Sequence, residues 1–266
     1  DCLLSRGLGD VYKRQVLCTD KIPEMPELRA SFSTSFAAGS LCSENRVHNI
    51  TKGALLIDGS IVPAGQTFSC NDSLGVRSRE NGWLPATAFA NGGAETRQEY
   101  GGGICQISTT LYNAVLRSDL EIIARSGHTR KVRYIGGGLD AALSGKDKDF
   151  VFRNNTDSDI YVFMWVDESQ KTLCCEIYGC PFPSDFDRVD TVSELTSSTP
   201  PSEPQFVLDS ALEPGECVLK RKAIAGSTYQ SYRVYSLNGE IIRRVPIDKT
   251  EYPMHPALYA VGQGKS

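Results

Sequence analysis

Three consecutive glycines and one isoleucine precede a cysteine in the stretch GGGICQISTTLYNAVL, residues 101–116. Within this stretch apolar residues recur at intervals of three and four, the period of one face of an α-helix, while Ser108, Thr109 and Asn113 fall largely on the other side. Glycines adopt backbone angles closed to other residues and let another group approach closely. We therefore predict a helix that begins at the glycines and carries Cys105 in its first turn.

The predicted position of Cys105 suits a reactive thiol. The first turn of a helix has unpaired N–H groups and the positive end of the helix dipole, which favour a thiolate. Such placement lowers the pKa of a thiol from about 8.5 to as low as about 3.5. A second interpretation stays open, in which Cys105 is a buried cysteine that packs under a tight glycine turn.

Composition excludes several classes of protein. The 266 residues are 40% hydrophobic and 23% charged, which is typical of a globular chain long enough for a substantial core. The net charge of −4 is unlike that of a nucleic-acid binder. No stretch is apolar enough to span a membrane, so we expect membrane attachment only through an anchor that is missing from the N-terminus. The nine cysteines include no CxxC pair, and we predict neither a disulfide scaffold nor a metal or other cofactor.

The chain divides by pattern into four segments. Residues 1–27 are predicted to be unstructured or artefactual, because DCLLSRGLGDVYKRQ resembles translated adapter sequence and fits nothing that follows. Residues 28–180 are predicted to form one α+β unit, a helix packed on an antiparallel sheet. Residues 181–204, rich in Pro, Ser, Thr and Asp, are predicted to be a linker. Residues 205–266 are predicted to form a small all-β module.

Within the α+β unit, short apolar runs predict the strands. GALLIDGSIVPAGQTFS, residues 53–69, has two turn signals between apolar runs and predicts a hairpin. IYVFMWV and TLCCEIYG, separated by DESQ, predict a second hairpin. Three further runs read as strands: LEIIARS at 120–126, KVRYI at 131–135 and FVFRN at 150–154.

The chain resembles the VanW-like family between residues 32 and 162. The motifs that carry the resemblance are FSTSF (32–36), NRVHNI (45–50), VPAGQTFSCN (62–71), GVRSRENGW (75–83), the glycine–cysteine stretch, HTRKVRYIGGGLDAAL (128–143) and DFVFRNNTDSDIYV (149–162). The C-terminal segment resembles a G5 module through LEPGE, YRVYSLNGEII and YPMHPALYAVG. The resemblance implies an exported protein on the extracellular face of the bacterial cell envelope, with peptidoglycan or another cell-wall peptide or glycan as its partner and a link to glycopeptide resistance.

A thiol nucleophile needs a base, and the base needs an orienting group. Cys105 is followed by His128 and then by Asp140, an order that resembles transglutaminase-like and papain-like cysteine enzymes. In this interpretation His128 deprotonates Cys105, and Asp140 fixes the imidazole tautomer. Without that geometry, His128 is a surface residue of a polar string and Asp140 is a turn or capping residue.

Five further residues are candidates for binding substrate or stabilising an oxyanion. Gln106 and Gln98, with a backbone N–H of the glycine turn at Gly103, are candidates for the oxyanion site. Arg125 is a candidate for bidentate binding of a carboxylate, although an exposed salt bridge is the alternative. His48 either lines the same cleft or occupies a strand edge, and we favour the strand edge.

Two functions follow from these patterns. In the first, the protein is a cysteine amidase, peptidase or transpeptidase that acts on peptidoglycan peptides through an acyl-thioester. In the second, it is a non-catalytic wall-binding protein whose groove holds a peptide or glycan. The distance between the Cys105 thiol and a His128 ring nitrogen distinguishes the two functions, because catalysis requires these groups to lie close together in an open cleft.

Overall fold

A computed structural model describes residues 26–37, 42–90, 95–145 and 147–262 of the chain. The helices within these ranges are α1 (Glu44–Ile57), α2 (Cys70–Leu74) and α3 (Ile104–Arg117). The strands are β1 (Glu27–Ser35), β2 (Ser60–Val62), β3 (Thr67–Ser69), β4 (Pro85–Ala90), β5 (Glu95–Tyr100), β6 (Glu121–Ala124), β7 (Val151–Arg153), β8 (Ile160–Asp167), β9 (Thr172–Gly179), β10 (Arg188–Thr199), β11 (Gln205–Asp209), β12 (Cys217–Arg221), β13 (Gly226–Leu237), β14 (Glu240–Tyr252) and β15 (Leu258–Gly262). Helices combined with several antiparallel sheets confirm the predicted α+β class.

The predicted helix is present as α3 and packs on a four-stranded antiparallel sheet. The strand order of this sheet is β1-β9-β8-β2. Side chains of β9 alternate between buried and half-buried, with Leu173, Cys175 and Ile177 facing inward. They belong to one core with Ile107 and Leu111 of α3. Every second side chain of the strand and one side in each 3.6-residue turn of the helix are apolar. These two apolar faces pack together and form a single interface.

The polar side of α3 is buried as well, which the helical pattern alone does not indicate. Twelve of its fourteen residues are buried. Ser108 Oγ donates to the Ala141 carbonyl at 2.7 Å, and the Ala141 N–H donates to Thr109 Oγ1 at 3.0 Å. Asn113 Nδ2 donates to another carbonyl of segment 139–143 at 2.7 Å. The polar residues of α3 therefore hold an irregular segment against the helix.

The hairpin predicted over residues 53–69 is wrong. Residues 53–57 form the last turns of α1, where Ile50, Ala54 and Ile57 recur at helical spacing and are buried. Strand β2 then pairs with β8, and β3 pairs with β7 in a different sheet. The apolar run GALLI continues a helical pattern that begins upstream among polar residues, and this pattern outweighs the turn signals.

The other strand predictions are mostly confirmed. Strands β6, β7, β8 and β9 match the predicted runs, with β8 one residue longer, and β8 and β9 form the predicted hairpin. The prediction of a strand at residues 131–135 is wrong, because this segment is irregular. Val132 is buried there, and Tyr134 forms a side-chain hydrogen bond with Thr109 of α3. Tertiary contacts with the helix replace the partner strand that the run would need.

The prediction of a linker over residues 181–204 is wrong for its central part. Residues 188–199 form β10, which pairs antiparallel with β13 in the sheet β10-β13-β14. Before it, Phe186 packs edge-to-face against Tyr235 of β13 at 5.0 Å between ring centroids. The Ser and Thr content of this segment is typical of a linker. The second half of β10 is exposed, however, and polar residues such as Thr also occur on the exposed face of a strand.

The all-β prediction for the C-terminal segment is confirmed over residues 205–262. The sheet β10-β13-β14 lies against the α+β unit. Ser231 Oγ donates to the Gly138 carbonyl at 3.0 Å, and Arg233 Nε donates to the Leu116 carbonyl at the end of α3 at 3.0 Å. Strand β13 is thus hydrogen-bonded to the end of α3 and to Gly138.

Residues 1–25, which make up most of the segment predicted to be unstructured or artefactual, lie outside the described residues. None of the helices that the structure describes is long and apolar enough to cross a membrane.

Candidate active site

The centre of the site is a buried carboxylate–imidazole pair. His128 Nδ1 lies 2.6 Å from Asp140 Oδ2, and the backbone N–H of His128 donates to the same oxygen at 2.7 Å. The exposed fraction of the side chain is 11% for His128 and 0% for Asp140. Because the ring and the backbone N–H of His128 both contact Oδ2 of Asp140, the orientation of the imidazole is fixed.

The second oxygen of Asp140 is held by two residues that lie far apart in the chain. The Tyr252 hydroxyl, on β14, donates to Oδ1 and accepts the buried Gly138 N–H at 2.8 Å. Arg125, just after β6, approaches Oδ1 at 3.4 Å and donates from Nε to the Asp140 carbonyl at 2.7 Å. All these donors favour the charged carboxylate. Tyr252 has no sequence signal that points to this role.

The Cys105 thiol lies on the other side of the imidazole. Cys105 is half-buried in the first turn of α3, as predicted, and its Sγ lies 3.4 Å from the Leu143 N–H donor and 3.5 Å from the Leu143 carbonyl oxygen. Cys105 and His128 lie close enough for each side chain to shift the pKa of the other. Because Nδ1 faces Asp140, Nε2 is the ring nitrogen left for the thiol. The structure therefore brings Cys105, His128 and Asp140 together in the predicted order.

The three groups shift each other's pKa in a consistent direction. Burial raises the pKa of the Cys105 thiol, but the hydrogen bond and charge of His128 outweigh it and lower the pKa. Burial lowers the pKa of His128, but its hydrogen bonds to Asp140 and Cys105 raise it to about 9. Burial raises the pKa of Asp140, but the His128 hydrogen bond and charge lower it to about 2. These directions favour a thiolate, an imidazolium and a carboxylate at neutral pH.

Cys105 and His128 open into a cleft of about 1710 Å³. Its walls include part of β5, the glycine turn and the irregular segments after β6. The basic residues in its lining are Arg46, Arg77, Arg97, Arg130, Lys131, Arg133 and Lys148, and the acidic ones are Asp72 and Glu99. The cleft is therefore basic although the chain as a whole is acidic, and it attracts anionic groups.

The glycines before Cys105 accommodate the protein itself. A Cβ added at the first glycine of residues 101–103 would lie 2.7 Å from Arg77 Cγ, and one added at the second would lie 2.5 Å from the Ala86 carbonyl oxygen. The third, the N-cap of α3 with a φ of 114°, leaves room for Arg46. The groups that approach these three glycines closely are therefore parts of the protein, and the turn also lines the cleft.

The two glutamines differ in position. Gln106 is fully buried, and its Nε2 donates to Thr34 Oγ1 at 2.9 Å and to the Ser35 carbonyl at 3.2 Å. It fixes α3 to β1 and faces away from the cleft, so the oxyanion role predicted for it is wrong. Gln98 lies on β5 in the cleft wall, where it donates to Thr87 Oγ1 at 3.2 Å.

Arg125 and His48 also differ from their predicted positions. Arg125 is 4% exposed, and its Nη1 donates to Asp248 at 3.0 Å and to Thr250 at 2.8 Å. Its donors are used within the protein, so it is neither an exposed salt bridge nor a substrate-binding group. His48 is exposed on helix α1, with Nε2 3.0 Å from the Gly82 carbonyl oxygen, and so occupies neither a strand edge nor the cleft.

Comparison with known proteins places this site in a family. The family profile described as VanW like protein matches residues 45–178, which include Cys105, His128 and Asp140. The chain belongs to the VanW-like family. The chain is 41% identical to the uncharacterized protein YoaR of Bacillus subtilis (strain 168) over 120 residues. This match covers 45% of this chain and 39% of the relative. Over 132 residues, 48% of this chain and 47% of the relative, the chain is 30% identical to the vancomycin B-type resistance protein VanW of Enterococcus faecalis (strain ATCC 700802 / V583).

The chain thus spans less than half the length of each of these two relatives. Among solved structures, the VanW-like protein is similar to the G5 domain of an IgA1 protease, with a TM-score of 0.21 and 17% identity over 29% of this chain and 92% of that one. It is also similar to HP0197-G5, with a TM-score of 0.16 and 16% identity over 28% of this chain and 97% of that one. At these TM-scores the likeness carries no conclusion about function.

Proposed function

We propose that this VanW-like protein is a cysteine acyltransferase or hydrolase of the bacterial cell envelope that acts on peptidoglycan peptides. The observation that carries the proposal is the buried Asp140–His128 pair, whose second ring nitrogen faces the Cys105 thiol at the start of a helix and at the edge of an open cleft. This arrangement supplies a nucleophile, a base and an orienting group. The order of the three residues is analogous to that of transglutaminase-like and papain-like enzymes.

In the first half-reaction the Cys105 thiolate attacks the carbonyl carbon of a peptide bond and forms a tetrahedral oxyanion. Collapse of this intermediate breaks the C–N bond, and the protonated His128 gives its proton to the leaving amine. The product is an acyl-thioester on Cys105 and a neutral imidazole. Asp140 keeps the ring in the tautomer that presents Nε2 to the thiol side.

In the second half-reaction a water molecule or an amine attacks the thioester. The neutral His128 takes the proton of the attacking group, the C–S bond breaks, and Cys105 leaves as a thiolate beside the restored imidazolium. Attack by water makes the protein an amidase or peptidase, whereas attack by the amine of a second peptide makes it a transpeptidase.

The cleft and the relatives support the substrate class and the location. A cleft of about 1710 Å³ accommodates an extended peptide, since typical small-molecule pockets are about 300–1,000 Å³. A relative of 30% identity is named a vancomycin B-type resistance protein, and glycopeptide resistance concerns the peptides of the cell wall. We propose that the protein acts on the extracellular face of the cell envelope.

The basic cleft also supports a second candidate function, a peptidoglycan-binding module without catalysis. A groove whose charged residues are mostly cationic holds an acidic peptide whether or not a bond is broken. The two candidates differ in whether Cys105 forms a covalent adduct with a peptide.

Intact-protein mass spectrometry tests the proposal. Incubation with a library of peptidoglycan stem peptides, followed by rapid acid quenching, is expected to show an acyl adduct on Cys105 that hydroxylamine removes. Cys105→Ser serves as the variant that keeps the fold and loses the thioester, and the exposed Cys217 serves as an internal reference for unspecific acylation. Saturable peptide binding with no adduct above the Cys217 level would instead establish the binding function.

A further inference from the structure

Arg46 is a buried cation at the edge of the cleft, and its guanidinium is not fully hydrogen-bonded within the part of the chain that the structure describes. It lies on α1, is 6% exposed, and lines the cleft beside the glycine turn. Its Nη1 has no hydrogen-bond partner among the residues that the structure describes. A buried donor without an acceptor is costly, and a charged one more so, which makes this group unusual for a folded chain.

The protein around Arg46 provides little to balance its charge. The groups that act on it among the described residues are the Tyr134 ring, 6.0 Å from the guanidinium, and the Cys105 thiol. The Cys105 sulfur accepts a hydrogen bond from the Leu143 N–H, and Arg46 acts on this thiol through its charge. The guanidinium therefore keeps unused donors at the position where the cleft meets the thiol.

Gly103 brings this guanidinium to the nucleophile. A Cβ at Gly103 would lie 3.2 Å from Arg46 Nη1 and 3.0 Å from Arg46 Cγ. The glycine is two residues before Cys105 and has the left-handed φ of 114° that other residues avoid. The absence of a side chain at Gly103 thus lets the guanidinium lie over the start of α3, close to the bond-forming atom.

We propose that Arg46 is an anion-binding subsite that recognises a carboxylate of the peptide substrate next to the carbonyl that Cys105 attacks. Arginine presents parallel N–H donors that match a carboxylate, and such a pair is strongest where solvent is excluded. This inference rests on the proposed function and narrows its substrate to peptides with a carboxylate near the reacting carbonyl. Arg46, rather than Arg125, then performs the carboxylate recognition.

Two alkylating reagents of nearly the same size test the subsite. Iodoacetate carries a carboxylate and iodoacetamide a neutral amide, and each forms a C–S bond to the Cys105 thiolate with release of iodide. The measured quantity is the ratio of the two rates at Cys105, divided by the same ratio for N-acetylcysteine at the same pH. An effect of Arg46 on the reactivity of the thiolate changes both rates alike, so the ratio isolates recognition of the anion.

We expect a normalised ratio above one in the unmodified chain and a fall of roughly five- to tenfold in Arg46→Gln, as for loss of one charge-assisted pair. Arg46→Lys is expected to recover only part of the preference, because lysine lacks the planar fork. Arg133→Gln removes an exposed charge from the same cleft and is expected to lower the ratio no more than about twofold, since exposed charges are screened.

A measurement on the unmodified chain covers the case in which Arg46→Gln fails to fold. N-acetyl-D-alanine is expected to slow labelling of Cys105 by iodoacetamide, and N-acetyl-D-alaninamide is not. A fast thiol with a normalised ratio of one and equal effects of the two alanine compounds would overturn the Arg46 subsite alone. A Cys105 that reacts no faster than Cys217 with either reagent would overturn the proposed function instead.

Discussion

Replacement of His128 by alanine is expected to slow alkylation of Cys105 most strongly at mildly acidic pH. The hydrogen bond and charge of His128 are the main contributions that lower the thiol pKa, and burial, which remains in the variant, raises it. Asp140 keeps the backbone N–H of residue 128 as a donor, so the substitution leaves its carboxylate partly satisfied. The variant is therefore expected to fold and to lose its thiolate.

The magnitude follows from the ionisation of an ordinary thiol. With a pKa of about 8.5, only about 0.3% of a thiol is ionised at pH 6. Thiolates of low pKa are weaker nucleophiles, with a Brønsted coefficient of about 0.4–0.5, which offsets part of this difference. We expect a fall in the labelling rate of roughly ten- to thirtyfold at pH 6 and a smaller fall towards pH 10, where more of the variant thiol ionises.

The assay is stopped-flow or quenched labelling with iodoacetamide from pH 5 to 10, with the modified cysteine identified by peptide mass spectrometry. His48→Ala is the matched control, because His48 is exposed on α1 away from the cleft. Asp140→Asn is expected to give an intermediate rate, since it disturbs the ring and its charge without removing it. If the pH profiles of His128→Ala and the unmodified chain coincide, His128 does not activate Cys105, and the Cys–His–Asp interpretation fails.

Three further predictions concern stability and the frame of the site. Tyr252→Phe leaves the buried Gly138 N–H without its acceptor and is expected to cost about 1–3 kcal/mol in urea unfolding and to slow Cys105 labelling, whereas Tyr229→Phe is expected to change both less. Gly102→Ala is expected to cost about 1–3 kcal/mol because its Cβ would meet the backbone of Ala86, whereas Gly136→Ala, with open space around it, is expected to be near neutral; equal melting temperatures would contradict this. The pKa of Asp140 is depressed to about 2, so its ionisation contributes about 2 kcal/mol to the free energy of unfolding above pH 4. This contribution is lost as the pH falls through 2. A stability difference between Asp140→Asn and the unmodified chain that does not narrow from pH 7 to pH 3 would contradict the pairing.

The sequence by itself determined the elements whose pattern is local. The helix α3 follows from apolar residues at intervals of three and four after a glycine run, and the β8–β9 hairpin follows from two apolar runs around DESQ. The order of Cys105, His128 and Asp140 also follows from chemistry that is visible in the sequence. For the helix and the hairpin, neighbours in the chain carry the signal, so no distant contact is needed to predict these two elements.

Only the tertiary structure decided the elements that depend on distant partners. The run at residues 131–135 has strand composition, but its Tyr134 bonds to helix α3, and no partner strand within the described residues competes for it. Strand β10 has the composition of a linker, but β13 offers it a hydrogen-bonding edge. Backbone pairing is satisfied by whichever edge is adjacent in space, and spacing along the chain does not reveal that edge.

The same distinction applies within the candidate site. Tyr252 lies 112 residues from Asp140 along the chain. Arg46 lies on helix α1, whose last turns the turn signals assigned to a hairpin. Arg125 and Gln106 look like polar residues available to a substrate, yet their donors are used by the protein. A sequence shows which side chains have donors and acceptors, but the fold decides which of them are already paired, because pairing depends on distance in space.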